Sequence, residues 1–172
     1  MKVVLLVLAG FAGLLALVAL IGAALPRRHV ASRQASYRQT TSVLYQAVRD
    51  FAAQPQWRTG VRSVELLAPA EGRAGHREIS RHGAITYRVQ EDRPAERLVL
   101  AIADENLPFG GTWTYEFKPC AGGASVRITE DGFVKNPLFR FLARFAFGHA
   151  ATIETYLRDL GRKFGESVQP QP

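Results

Sequence analysis

The sequence is almost devoid of cysteine. Cys120 is the only one among 172 residues, so no disulfide can form within the chain and a disulfide scaffold is excluded. The four histidines are scattered at 29, 76, 82 and 149, without the Cys/His spacing of a structural zinc site. GxGxxG, P-loop and GxSxG motifs are all missing. The acidic pairs Asp104-Glu105 and Glu130-Asp131 fall on strand-like segments. Adjacent strand residues point to opposite faces and cannot share an ion, so no metal and no cofactor is expected. Acidic residues are also outnumbered, 15 Asp and Glu against 22 Lys and Arg, for a net charge of +7. The basic residues are spread singly along the chain. Nucleic acid binding draws on clustered charge, so a solvated basic surface is the expectation instead.

One long apolar run is present. Residues 3–25, VVLLVLAGFAGLLALVALIGAAL, would form a helix about 34 Å long, enough to cross a hydrocarbon core of about 30 Å. Its length favours a retained anchor over a cleaved signal peptide, although Ala23-Ala24 resembles a cleavage site. Lys2 precedes the run, whereas Arg27, Arg28, Arg33 and Arg38 follow it. The positive-inside rule then places the body of a single-pass protein in the cytoplasm.

Pro26 ends the apolar run. Residues 166–172 carry one apolar side chain, Val168, and are expected to be a disordered tail. Between them lie about 140 residues, the size of one ordinary domain. The expected organisation is an anchor over 1–26, a single domain over 27–165 and a tail over 166–172.

Within the domain, residues 29–39 read as a first strand. Thr41 or Ser42 can cap a helix to about residue 53, with apolar spacing carried by Val43, Leu44, Ala47, Val48 and Phe51. Pro55 begins a short turn ending near Trp57. Strand-like runs follow at 61–67, 76–81, 84–91, 97–104, 111–120 and 124–131. A loop is expected over 69–75, and hairpin turns at His82-Gly83 and Gly122-Gly123. In Trp113-Thr-Tyr115-Glu-Phe117 every second side chain is aromatic, so one face of that strand must meet a core, a partner or a cavity. Ile85/Tyr87/Val89, Leu98/Leu100/Ile102 and Val126/Ile128/Glu130 define further single faces. Such strands joined by short turns describe one curved antiparallel sheet. Asn136 can cap a long helix to about residue 164. On it Leu138, Leu142, Phe145, His149, Ile153, Tyr156 and Leu160 share a face, opposite Arg140, Arg144, Arg158 and Arg162.

The order strand, short helices, six strands, long helix is an α+β helix-grip layout. Four words agree with it: Asp50-Phe51…Pro55-Gln56-Trp57, Phe109-Gly-Gly-Thr-Trp-Thr-Tyr-Glu116, Ile128-Thr-Glu-Asp-Gly132 and Asn136-Pro-Leu138. On these words the chain resembles the START-like, Bet v 1-like (SRPBCC) superfamily. Within it the chain is most similar to the polyketide cyclase/dehydrase and lipid-transport branch, over residues 29–165. The resemblance implies a deep apolar pocket between the sheet's concave face and the last helix. Its expected lining is Tyr87, Leu100, Trp113, Tyr115, Phe117, Ile128, Leu142, Phe145, His149 and Ile153.

The function this implies is a membrane-tethered domain that binds a lipid or other hydrophobic small molecule. A cyclase/dehydratase-type enzyme is the alternative, and a protein-interaction module at the membrane a second one. Catalysis would need inward polar groups in mutual reach, and Glu130, His149 and Tyr115 are the candidates. Tyr87 and Tyr156 could also offer hydroxyls. In Leu138-Phe-Arg-Phe-Leu-Ala-Arg-Phe-Ala-Phe147, Phe residues interleave with Arg. That pattern suits an interfacial segment, with Arg140, Arg144 and Phe147 at the membrane surface.

Overall fold

The structure, a computed structural model, describes residues 2–172 except 82, 143, 146, 147 and 149. The expected turn residue His82 and the expected site residues Phe147 and His149 lie outside the described residues.

The apolar run forms helix α1 (Lys2–Ala24), long and apolar enough to cross a membrane and exposed along almost all of its length. Seven strands follow: β1 (Arg28–Tyr37), β2 (Val61–Ala70), β3 (Arg73–Ser80), β4 (Gly83–Arg93), β5 (Arg97–Ile102), β6 (Phe109–Cys120) and β7 (Gly123–Val134). They make one antiparallel sheet in the order β1-β7-β6-β5-β4-β3-β2. Helix α2 (Thr41–Arg49) and a 3-10 helix (Phe51–Gln56) connect β1 to β2, and α3 (Pro137–Leu142) and α4 (Ala151–Lys163) follow β7.

Period-two alternation builds the core. Leu98, Leu100, Tyr115, Phe117, Val126 and Ile128 are buried on one sheet face, against Ile153, Leu157 and Leu160 of α4 and Leu44 and Val48 of α2. Polar ties fix the helices to the sheet. The Tyr37 hydroxyl donates to the Leu157 carbonyl at 2.9 Å. Asp159, buried on α4, accepts from the Thr59 backbone N–H at 2.6 Å and the Thr59 hydroxyl at 3.1 Å. Gly111 holds φ +138, and a Cβ there would stand 2.3 Å from the Asp131 carbonyl oxygen. The glycine ahead of Trp113 is therefore what lets β6 lie so close to β7.

Several sequence expectations need correction. The α2 cap is Thr40, whose hydroxyl accepts from Val43 N–H, one position before the expected pair. The loop over 69–75 is instead a tight hairpin. Strands β2 and β3 run to Ala70 and from Arg73, with Glu71 and Gly72 both at positive φ. Pro69 is tolerated there because β2 is an edge strand.

The single long helix is two helices. Gly148, at φ +71, lies between them, a conformation incompatible with a continuing right-handed helix. Asn136 caps the first of them, its side-chain oxygen accepting from Leu138 N–H at 2.8 Å. The tail, expected to lack order, lies along the outer edge of β1. Gln171 and Gln34 exchange two backbone hydrogen bonds of 2.8 Å. Buried Glu166 accepts from the Arg38 backbone N–H and the Gln39 amide. An unpaired strand edge offers backbone groups to whatever segment can reach them, which composition alone does not reveal.

The Asp159 contacts are the main polar link between α4 and the start of β2. Asp159→Ala is expected to lower the unfolding free energy of the full chain in detergent micelles by about 2 kcal/mol, read by urea titration. An unchanged midpoint would show that the link carries no stability.

Candidate functional site

The inward faces of five strands change in the same direction. Val89, Leu98, Tyr115, Phe117, Val126, Ala35 and Tyr37 are buried, whereas Ile85, Tyr87, Ile102, Trp113, Glu130, Ala31 and His29, farther along the same faces, are half-buried. The buried end is closed by α2, whose Tyr45 ring meets Phe117 edge-on at 5.8 Å. The half-buried end is where β1 begins and β7 ends, beside the last turn of α1 and the start of α3. The concave face is thus covered more closely at one end than at the other, the more open end lying beside α1.

Polar groups enter this apolar interior from β3 and the loop before β2. Alternation on β3 turns both His76 and Glu78 inward, opposite Tyr87 and Ile85 of β4. His76 is fully buried between two rings, 3.9 Å from Phe51 and 5.2 Å from Tyr87, both stacked. Its Nε2 lies 3.4 Å from Glu78 Oε1. The Arg58 guanidinium donates to the same Glu78 oxygen and to Gln54 Oε1 at 2.6 Å, and sits 4.7 Å over the Tyr156 ring. Tyr156 is the hub of an aromatic cluster, with Trp57 at 5.4 Å, Tyr115 at 5.5 Å and Trp113 at 6.2 Å.

Electrostatics follow from burial. Desolvation alone would raise the Glu78 carboxyl, but the His76 hydrogen bond and the Arg58 charge outweigh it and hold the pKa below the ordinary value. Burial pushes the Tyr87, Tyr115 and Tyr156 hydroxyls up, so all three keep their protons at neutral pH and can donate. Two buried polar atoms along this chain of contacts, Trp57 Nε1 and His76 Nδ1, have no hydrogen-bond partner among the described residues, whereas the Tyr156 hydroxyl is in hydrogen-bonding reach of Tyr115. Each such atom costs about 1–3 kcal/mol. A site able to receive an oxygen-bearing ligand would carry that cost before binding.

At the open end, Glu130 Oε1 lies 3.2 Å from His29 Nε2. Burial raises the Glu130 carboxyl, and the His29 contact opposes that rise. This is a carboxyl–imidazole pair able to hold or move one proton between Oε1 and Nε2.

The sequence-expected residues divide accordingly. Leu100, Tyr115, Phe117, Ile128 and Ile153 are buried in the interior, and Tyr87 and Trp113 stand half-buried toward its open end. Leu142 and Phe145 are 38% and 62% exposed, and the helix break at Gly148 separates them from the helix that carries Ile153. Arg140, expected at a membrane surface, is only 7% exposed. Its Nη1 donates to the carbonyls of Ala23 at 3.4 Å and Leu25 at 2.8 Å, at the C-terminal end of α1. Glu130 is not joined to Tyr115 by any hydrogen bond or ion pair among the described residues; its partners are His29 and the cross-strand Trp113. Arg58, His76, Glu78 and His29 were missed. The i, i+2 spacing of His76 and Glu78, in register with the inward face of Tyr87, is the signal that could have found two of them.

Removing the carboxylate would strand a buried guanidinium. Glu78→Gln is therefore expected to cost about 3 kcal/mol near neutral pH. A carboxyl whose folded pKa lies below its unfolded value stabilises the fold above the ordinary 4.5 and loses that contribution as pH falls through the folded value. The gap between wild type and variant should thus close as the pH falls below the ordinary carboxyl value and through the lowered folded one, read by thermal unfolding across the acid range. A gap that is constant with pH would refute the pairing.

The comparisons agree with this architecture. Residues 32–164 match the family model for polyketide cyclase / dehydrase and lipid transport. No curated protein matches the sequence. Among solved structures, a START superfamily protein from Mycobacterium smegmatis aligns at TM-score 0.61 and 16% identity, over 80% of this chain and 97% of that one. Zhui aromatase/cyclase from Streptomyces sp. R1128 aligns at TM-score 0.59 and 11% identity, over 77% and 88%. The di-domain ARO/CYC StfQ from the steffimycin biosynthetic pathway aligns at TM-score 0.61 and 12% identity, over 76% of this chain and 50% of that one. The chain thus spans half the length of StfQ, and at such identities the likeness shows the fold alone. With its curved seven-stranded sheet, its C-terminal helix and a match across most of its length, the chain belongs to the polyketide cyclase/dehydrase and lipid-transport family.

Proposed function

We propose that this protein is a membrane-tethered domain that takes a lipid or other hydrophobic small molecule between its sheet and α4. The observation that carries this reading is the shared direction in which five inward strand faces pass from buried to half-buried, toward the anchor. A guest leaving the bilayer beside α1 would meet Trp113, Ile102 and Ile85 first, and then the polar groups around Tyr156. Its apolar body would bury surface at about 25 cal/mol per Å², and an oxygen on it would find the unpartnered indole N–H of Trp57. The exposed Phe139, Leu142 and Phe145, next to α1, suit contact with the interface. Family membership supports the hydrophobic ligand class. The basic residues after α1 support a cytoplasmic domain; a C-terminal green fluorescent reporter that stays dark would contradict this.

The alternative is chemistry of the cyclase/dehydratase kind, centred on the Glu130–His29 pair at the open end. One experiment separates the readings. Native mass spectrometry of the full chain in detergent micelles should show one bound apolar molecule. Ile102→Trp, which narrows the opening, should lower occupancy at least tenfold. A chain that carries no ligand in any preparation would defeat the proposal. If Glu130→Gln retains a chemically different molecule from wild type, the pair converts its ligand.

A further inference from the structure

Beneath the more open end, the segment after α1, with α3, β1 and β7, borders a groove of about 430 Å³, lined in part by Leu25, Pro26, Arg27, Val134, Arg140 and Arg144. Four arginines and one histidine face it or stand on its rim, but not all of that charge is free. Arg28 lies 3.2 Å from an Asp131 oxygen, and His29 lies 3.2 Å from Glu130. Arg27, Arg140 and Arg144 have no ion pair among the described residues.

Arg140 is the informative one. It is 7% exposed, spends Nη1 on two carbonyls at the end of α1, and leaves Nε buried without a partner. A helix C-terminus supplies only about half a negative charge, so a buried guanidinium at that place is incompletely compensated. Helix α1 also packs tightly beside this groove. A Cβ at Gly22 would stand 2.0 Å from the Pro137 carbonyl oxygen, so α1 and α3 meet backbone to backbone.

A spanning helix leaves the hydrocarbon in its last turn, at the depth where phosphates of the headgroups begin. The groove starts at that turn. It combines uncompensated guanidinium groups, which bind phosphate in a bidentate fork, with an apolar wall of Leu25, Pro26 and Val134. We infer that this groove binds the headgroup phosphate of an anionic phospholipid, with the acyl chains running along α1. The inference rests on the membrane-tethered reading and adds a second lipid site, distinct from the interior. The bound headgroup completes the charge balance of Arg140 and fixes the domain's opening against the bilayer surface.

The test uses the full chain in detergent micelles, titrated with phosphatidylglycerol or phosphatidylcholine and read by native mass spectrometry. Phosphatidylglycerol should bind at least tenfold more tightly. A basic side chain near an anionic lipid surface contributes about a fivefold factor in affinity. The double variant Arg27→Gln/Arg144→Gln should therefore lose about 30-fold for phosphatidylglycerol. Both side chains are exposed, so the fold should survive and interior occupancy should not change, and phosphatidylcholine, whose phosphate charge is offset by choline, should lose less than phosphatidylglycerol. Inorganic phosphate, against chloride at matched ionic strength, should not displace the lipid; displacement would make free phosphate the ligand and overturn the assignment. Equal binding of the two lipids, or a double variant that still discriminates as wild type does, would overturn it too. Alkaline carbonate extraction keeps the two readings apart. A chain released by carbonate refutes tethering, whereas a retained chain that does not discriminate refutes the headgroup site alone.

Discussion

A guanidinium and a carboxylate inside an apolar interior must be paired, and the Arg58–Glu78 contact is that pair. Arg58 enters from the loop after the 3-10 helix, Glu78 from β3, and Tyr156 from α4 underlies the guanidinium. Three elements distant in sequence are thereby held in one arrangement. His76 extends the pair toward Tyr87, and Gln54 holds the guanidinium from behind. Breaking such a pair leaves a charge without compensation, so the polar lining of the interior is set by the same contact that fixes its walls.

The apolar lining obeys a different rule. Burial on each strand depends on what lies above it, and the two covering helices do not cover the sheet evenly. Helix α2 and the buried side of α4 seal the end at Phe117 and Leu98. Toward Trp113 and Ile102 the cover thins, and there the chain also brings its apolar N-terminal helix. Arg140 and the Gly22–Pro137 contact join that helix to the domain. The more open end and α1 therefore lie on the same side of the domain.

Much of the fold could be read from period and punctuation. Trp113, Tyr115 and Phe117 announce a one-faced strand, and Leu98, Leu100 and Val126, Ile128 do the same, because a half-buried sheet demands alternation. What failed did so for physical reasons. The apolar face running from Leu138 to Leu160 continues across Gly148, and one glycine in a helical pattern does not by itself signal a break. The segment His76–Arg81 alternates polar residues on both faces, so its inward side looked like surface. Arg58 meets a carboxylate on β3, a pairing no local spacing encodes. The tail's order comes from backbone bonds to β1, which side-chain composition does not report.

The two outer strands of the sheet are closed in different ways. β1 has Gln34 hydrogen-bonded to Gln171 of the tail, and β2 carries Pro69, which has no N–H to donate. An unpaired strand edge invites strand-to-strand pairing between copies of a chain. With a strap on one flank and an interrupted ladder on the other, copies of this chain are denied an unbroken edge on which to stack into a continuous sheet.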